Sequence, residues 1–138
     1  MKIIFVCTGN TCRSPLAEAI AKDIKPHYEI QSRGISAYNG SPISTQSLEI
    51  IFENNLPVPS TAKQFEASDL DADLILTMTE SHKMMLQMQY NHDNIYTLKQ
   101  YVKGEQGDVS DPFGQPQHVY QETYQELRTL IVELLQSS

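Results

Sequence analysis

The chain has 138 residues, of which 40% are hydrophobic, and its formal net charge at pH 7 is -7. This size and composition predict a single domain over residues 1–138 with one core. The negative charge argues against a nucleic-acid partner, because such binding depends on neutralising phosphates with Lys and Arg. No apolar run approaches the roughly 18 residues of a membrane span, so neither an export signal nor a membrane anchor is expected.

The two cysteines, Cys7 and Cys12, lie too close in sequence to link distant parts of a fold by a disulfide. A reducing compartment, the cytoplasm, is therefore expected. The histidines show no metal-ligand spacing and are interpreted as surface or structural residues, so neither a metal nor a cofactor is predicted. A monomer is the default expectation.

Short apolar runs alternate with helical patterns along the chain. Strands are predicted at residues 2–6, 28–32 and 73–78, with extended chain at 94–98. Helices are predicted from Ser14-Pro15 onward and at residues 44–55, 80–89 and 120–135, whereas residues 103–118 are predicted to be irregular. This alternation predicts an α/β fold with a parallel sheet covered by helices on both faces.

Two helical faces are assigned to the core from their spacing. Leu48, Ile51 and Phe52 share one face of the helix at 44–55. The methionines at 84, 85 and 88 are interpreted as the core-facing side of the helix at 80–89.

The segment CTGNTCRSP runs from Cys7 to Pro15 directly after the first strand. Ligands of open α/β sheets bind at the carboxyl ends of strands, which is where Cys7 lies. The amides of a tight loop at a helix N-terminus form an anion site, and Gly9 and Asn10 accept the positive φ angles such a loop needs. Arg13 can direct its guanidinium at the same anion, so Cys7 is predicted to face the phosphorus of a phosphoryl group.

This segment resembles the signature of the low-molecular-weight protein tyrosine phosphatase family. The resemblance extends to DPFG at residues 111–114, to SRGISAYNG at residues 32–40, and to the element order. It implies a four-stranded parallel sheet flanked by helices, no metal, and a phosphocysteine intermediate on Cys7. It also implies that Asp111 is the general acid that later activates water.

The resemblance therefore assigns a set of site residues. The catalytic residues are Cys7, Arg13 and Asp111. The substrate-binding residues are Thr8, Gly9, Asn10, Thr11, Cys12, Arg13, Ser14 and Phe113. Asn10 and Ser36 are expected to hold the loop in shape, and Ser14 either donates a hydrogen bond to the Cys7 thiolate or caps the helix.

Two positions bear on the substrate, which is expected to be a phosphorylated protein. Family members that act on phosphotyrosine usually carry isoleucine in place of Thr11 and two consecutive aromatics after the DP pair, where this chain has only Phe113. The combination here resembles the branch that dephosphorylates arginine, and a rim hydroxyl suits a polar guanidinium. Hydrolysis of phosphoarginine is thus the favoured function, phosphotyrosine is the alternative, and a purely structural role for Thr11 stays open.

Two alternative functions and the role of Cys12 also bear on this segment. Thiol-dependent arsenate reductases use a similar loop but need further cysteines, and none follows Cys12. A phosphopeptide-docking module would need neither Cys7 nor Asp111. Cys12 is either a small loop residue or the partner of Cys7 in a protective disulfide. The resting position of Asp111 is not predicted.

Overall fold

The computed structural model describes residues 1–136. Its four strands form one parallel sheet in the order β2-β1-β3-β4. The strands are β1 (Lys2–Cys7), β2 (Glu29–Gly34), β3 (Leu74–Thr77) and β4 (Ile95–Thr97). The helices are α1 (Arg13–Ile24), α2 (Thr45–Glu53), α3 (Glu80–Tyr90), α4 (Leu98–Lys103) and α5 (Gln117–Gln136). A 3-10 helix lies at Ala67–Asp71.

The strand β1 lies between β2 and β3, and it is buried on both faces because helices cover each face of the sheet. Ile3 and Phe5 contribute to one core cluster, together with residues of α1 and α5. Ile4 and Val6 contribute to a second cluster on the opposite face, with Leu86 of α3. The predicted four-stranded parallel sheet with helices on both faces is therefore confirmed.

Strand register brings the carboxyl ends of three strands together. Cys7 at the end of β1 pairs with Gly34 at the end of β2, and Val6 pairs with Thr77 at the end of β3. The connections that leave these three strands therefore meet at one edge of the sheet, which is where ligands bind in open α/β folds.

The predicted core face of α3 is wrong, and that of α2 is correct only in part. Met84, Met85 and Met88 are 59%, 49% and 83% exposed, because α3 buries only the stripe formed by His82 and Leu86. In α2, Ile51 is buried as predicted, but Phe52 is exposed and Leu48 is half-buried. The other buried residues of α2 are Ser47 and Ile50.

Several element bounds also differ from the predictions. The second strand extends to residue 34 rather than 32, and α5 begins at residue 117 rather than 120. The helix α4 was missed because it has only six residues, too few for a periodic apolar pattern. Within residues 1–136, no helix is both long enough and apolar enough to cross a membrane.

Candidate active site

The loop between β1 and α1 is held by backbone contacts to the segment that follows β2. Ile35 N donates to Cys7 O at 3.0 Å, and Ser36 N donates to Thr8 O at 2.9 Å. This packing requires glycine at position 34, because a Cβ there would lie 2.6 Å from Thr8 O. Asn10 has the predicted positive φ of 57°, whereas Gly9 does not have a positive φ.

The candidate nucleophile, Cys7, forms a hydrogen bond with Ser14. The Cys7 Sγ lies 2.9 Å from Ser14 Oγ, and Asn10 Nδ2 donates to the same Oγ at 2.8 Å. Since the Asn10 amide occupies a lone pair of that oxygen, the Ser14 hydroxyl can donate its own proton to the sulfur. Ser14 lies inside α1, whose N-cap residue is Cys12, so of the two predicted roles the geometry favours donation to the thiolate.

Behind these residues the network continues through buried groups. Asn10 Nδ2 also donates to Ser32 Oγ at 2.9 Å, and Ser32 Oγ donates to Glu18 Oε1 at 2.6 Å. The carboxylate of Glu18 is only 1% exposed and is paired with Lys22 Nζ at 2.6 Å. A continuous set of hydrogen bonds therefore connects Cys7, through Ser14, to the back of α1.

Ser36, which is predicted to help hold the loop, contacts it through its backbone N–H, which donates to Thr8 O at 2.9 Å. The second hydroxyl bound by the Asn10 amide belongs to Ser32, and Lys63 N donates to Asn10 Oδ1 at 2.9 Å. Sequence analysis missed Ser32 and Glu18. The spacing of Ser14, Glu18 and Lys22, four residues apart along one helix face, was the available signal.

Arg13 lies below the mouth of the loop and is 4% exposed. Its Nη1 donates to Val109 O at 2.9 Å, and its Nη2 lies 3.6 Å from Asp111 Oδ2. The Asp111 side chain is 54% exposed, and its Oδ1 accepts a hydrogen bond from Phe113 N at 3.0 Å. Asp111 is therefore already beside Arg13, and the Phe113 ring next to it is 75% exposed.

Two contacts fix the segment that carries Asp111. Val109 N donates to Met78 O at 2.8 Å, and Glu80 N donates to Asp108 Oδ1 at 2.8 Å. The start of α3 thus holds the chain just before Asp111.

His82, in the first turn of α3, contacts the loop directly. Its Nε2 lies 2.8 Å from Thr8 Oγ1. Burial, with a smaller contribution from the positive charge of Arg13, lowers the pKa of His82 to about 4 against the opposing effects of Asp108 and Asp111. The imidazole is therefore neutral at physiological pH. Sequence analysis interpreted the histidines as surface or structural residues and did not place His82 in the site.

Cys12 lies on the inner side of the loop as a buried free thiol, and Cys7 is also a buried free thiol. The Cys12 Sγ is 3.7 Å from Tyr120 OH, and Cys12 O accepts from Ser47 Oγ at 3.3 Å. Burial and the adjacent Cys12 sulfur raise the pKa of Tyr120 to about 12, so this phenol stays protonated. Cys12 is thus a packed residue of the loop's back wall.

Within residues 1–136, no group of three or more His, Cys, Asp or Glu side chains is arranged to hold a metal ion. What the strand end does present is a thiol, a guanidinium and a carboxylate around one loop at a helix N-terminus. These are the parts of a cysteine-dependent phosphatase.

Comparison with known proteins agrees with this class. A family model described as low molecular weight phosphotyrosine protein phosphatase matches residues 2–137. A curated relative from Staphylococcus epidermidis, low molecular weight protein-tyrosine-phosphatase PtpB, is 52% identical over 132 residues, which is 95% of this chain and 94% of that protein. The protein of the same name from Staphylococcus aureus is 47% identical over 97% of this chain and 96% of its own length. The chain belongs to the low-molecular-weight protein tyrosine phosphatase family and is a cysteine-based protein phosphatase.

Solved structures give the same fold. The YwlE arginine phosphatase from Geobacillus stearothermophilus superposes with a TM-score of 0.95 and 38% identity, covering 99% of this chain and 91% of that one. A C7S mutant of YwlE arginine phosphatase with a phosphorylated active site serine has a TM-score of 0.96 and 37% identity, covering 99% of this chain and 95% of that one.

Proposed function

We propose that this protein hydrolyses phosphoarginine in phosphorylated proteins, acting as a monomer in the cytoplasm. Cys7 is the nucleophile, Arg13 and the loop amides bind the phosphoryl oxygens, and Asp111 is the acid and then the base. The observation that supports phosphoarginine as the substrate is the weak hydrogen bonding of the Thr11 hydroxyl within the protein.

Thr11 is half-buried, and its Oγ1 has only one described hydrogen-bonding contact, a long one of 3.9 Å to Cys12 Sγ. A Cβ placed on Gly9 would lie 3.7 Å from the same Oγ1, so the hydroxyl sits along the loop beside the open Gly9 position. The hydroxyl is thus available to a polar group of the substrate. Replacing Thr11 with isoleucine would remove no strong hydrogen bond within the protein. The shape of the loop therefore does not by itself require threonine.

The carboxylate of Asp111 suits the same substrate. It is half-exposed and only loosely paired with Arg13 at 3.6 Å, so it can also bind a guanidinium from the substrate side. With Phe113 as the aromatic group that follows Asp111, the mouth offers a carboxylate and a hydroxyl in addition to one ring. A phosphoarginine side chain can use all three.

The reaction follows from this arrangement. The Cys7 thiolate attacks phosphorus in line, the P–N bond breaks, and its electron pair goes to the guanidino nitrogen, which takes a proton from the carboxylic acid form of Asp111. The resulting carboxylate pairs with the guanidinium of the departing arginine. The loop amides and Arg13 stabilise the charge on the transferring group. Asp111, now ionised, removes a proton from water, which attacks the phosphocysteine and releases phosphate with return of the thiolate.

Two relatives support this substrate and others favour the alternative. The structures named YwlE arginine phosphatase have the same fold at 37% and 38% identity. The curated relatives at 47% and 52% identity are named protein-tyrosine-phosphatases, which favours phosphotyrosine as the second candidate. The chemistry of the loop is the same in both cases, and only the leaving group differs.

The test is kcat/KM for phosphoarginine and phosphotyrosine in peptides of matched sequence. The wild type is compared with Thr11→Ile, with Thr11→Ser as the control that keeps the hydroxyl, and with Cys7→Ser as the blank. We expect the wild type to prefer phosphoarginine, and Thr11→Ile to lose about tenfold on that substrate because one substrate hydrogen bond is lost. Preference of the wild type for phosphotyrosine, or equal losses on both peptides, would contradict the proposal.

A further inference from the structure

His82 connects the phosphate-binding loop to a helix that the reaction above does not otherwise use. Its Nε2 contacts Thr8 Oγ1 at 2.8 Å across 74 positions of sequence, and its side chain is only 7% exposed. The helix start is fixed in turn, because His82 N donates to the capping hydroxyl of Thr79 at 3.1 Å. The imidazole therefore has little freedom to move away from Thr8.

The two ring nitrogens have different surroundings, which assigns the tautomer. Nδ1 is buried and has no hydrogen-bond partner among the described residues, whereas Nε2 has Thr8 Oγ1. A proton on Nδ1 would be a buried donor without an acceptor, which is rarer in proteins than a buried acceptor without a donor. The single ring proton therefore lies on Nε2, and it is donated to Thr8 Oγ1.

This assignment determines what the Thr8 hydroxyl can do. Its oxygen accepts from His82 and is fixed, while its own proton remains available for an acceptor on the substrate. Thr8 directly follows Cys7 and is exposed at the mouth of the loop. Its backbone is held as well, because Thr8 O accepts from Ser36 N at 2.9 Å. The hydroxyl is therefore a preorganised donor beside the nucleophile.

The same helix start also holds the acid segment. Glu80 N donates to Asp108 Oδ1 at 2.8 Å, three residues before Asp111. The first turn of α3 thus contacts both the loop that carries Cys7 and the segment that carries Asp111. A shift of His82 relative to Thr8 would change the distance between that loop and that segment.

We propose that His82 is a positioning residue for phosphoryl transfer, acting through an Nε2–H···Oγ1 hydrogen bond that fixes Thr8 beside Cys7. This inference rests on the role of the loop in the proposed function, but not on whether the substrate is phosphoarginine or phosphotyrosine. It predicts that His82 and Thr8 act as a unit, and that a side chain with an N–H near the Nε2 position can replace the histidine.

The experiment measures kcat and KM with p-nitrophenyl phosphate at neutral pH, a substrate that avoids the question of specificity. The variants are His82→Leu, His82→Gln, Thr8→Val and the double variant Thr8→Val/His82→Leu. We expect His82→Leu and Thr8→Val each to lower kcat about tenfold with a smaller change in KM, and the double variant to be no slower than the slower single one. His82→Gln retains a side-chain amide donor and should recover most of the lost kcat.

Leu86→Ala is the matched control, since Leu86 is buried one helical turn further along α3 and contacts the core instead of the loop. It should lower the melting temperature at least as much as His82→Leu while leaving kcat unchanged. Equal losses of kcat in Leu86→Ala would show that His82 acts only through stability, and additive effects of Thr8→Val and His82→Leu would show that His82 does not act through Thr8. Either result would overturn the inference.

A second measurement needs no variant. The 15N chemical shifts of the His82 ring in the wild type report which nitrogen carries the proton. A proton on Nε2 supports the inference, and a proton on Nδ1 overturns it, even if His82→Leu does not fold. A wild type that turns over neither p-nitrophenyl phosphate nor the phosphoarginine peptide would refute the proposed function itself, whereas an active wild type with additive variants would refute only the role of His82.

Discussion

The two sides of the phosphate-binding loop are built differently. On the inner side, Asn10, Ser14, Ser32 and Glu18 are nearly inaccessible and joined by hydrogen bonds of 2.6–2.9 Å. At the mouth, Asp111 is half-exposed and lies 3.6 Å from Arg13, an ion pair worth at most about 1 kcal/mol. The comparison shows that loop shape is held by buried, hydrogen-bonded groups, whereas the candidate acid Asp111 keeps a weak partner that a substrate can replace.

The largest expected effect is at the nucleophile, where the two sides meet. Cys7→Ser should lower kcat/KM by on the order of 10⁴-fold or more, because a hydroxyl in this position is a far weaker nucleophile than a thiolate. Steady-state assays with p-nitrophenyl phosphate measure this. Cys12→Ser is the control and should remain within about tenfold of the wild type, since Cys12 packs behind the loop against Tyr120. Similar losses in both variants would contradict the assignment of Cys7.

The next effect is at the mouth. Asp111→Asn should lower kcat by about 10²- to 10³-fold on a phosphopeptide, because the leaving group then departs without a proton. The loss of kcat/KM, which reports the phosphorylation step, should be smaller with p-nitrophenyl phosphate, because its phenolate needs little acid assistance. Thermal melting should be almost unchanged, since the carboxylate is exposed and its ion pair is weak. A large drop in melting temperature would mean that the mouth is held as firmly as the inner side.

Substitutions on the inner side of the loop should, in contrast, mainly lower the free energy of unfolding. Asn10→Ala removes the donor shared by Ser14 and Ser32 and places alanine at a φ of 57°, for a total cost of about 2–4 kcal/mol in the free energy of unfolding. Asn10→Gly tolerates the same φ and should lose only the hydrogen-bond part. Urea unfolding measures both. Equal destabilisation by alanine and glycine would show that the backbone conformation contributes nothing.

The smallest predicted effect concerns pH. The pKa of His82 is lowered from 6.5 to about 4 in the folded protein, so protons bind preferentially to the unfolded chain. Its contribution to stability is fully present above pH 6.5 and is lost as the pH falls towards 4. His82→Gln does not titrate and should lose less stability between neutral pH and about pH 5. Urea unfolding midpoints at these two pH values test this, and parallel losses in the two proteins would contradict the pKa direction.

The parts of the site that sequence analysis located are the ones carried by continuous segments. Cys7 and Arg13 lie in one nine-residue string, and DPFG identified Asp111, which the structure places beside Arg13. The alternation of buried strands and helices was likewise enough to predict the sheet, because each element carries its own periodicity.

What sequence analysis missed depends on relationships between segments. Ser32 reaches Asn10 only because β2 pairs with β1 in the observed register, and His82 reaches Thr8 only because β3 lies beside β1. Glu18 joins the network around Asn10 only through Ser32, whose Oγ donates to Glu18 Oε1 at 2.6 Å. The methionines of α3 were assigned to the core by their apolar character, but the single stripe that α3 buries was already occupied by His82 and Leu86.

The most direct test of the account is to trap the phosphorylated enzyme. Asp111→Asn should form the phosphocysteine readily from p-nitrophenyl phosphate and hydrolyse it slowly, because the base that activates water is missing. Rapid acid quenching followed by peptide mass spectrometry should then find one phosphoryl group on the peptide that contains Cys7. Covalent phosphate on another residue, or turnover by the wild type with no phosphorylated Cys7 in either protein, would contradict the account.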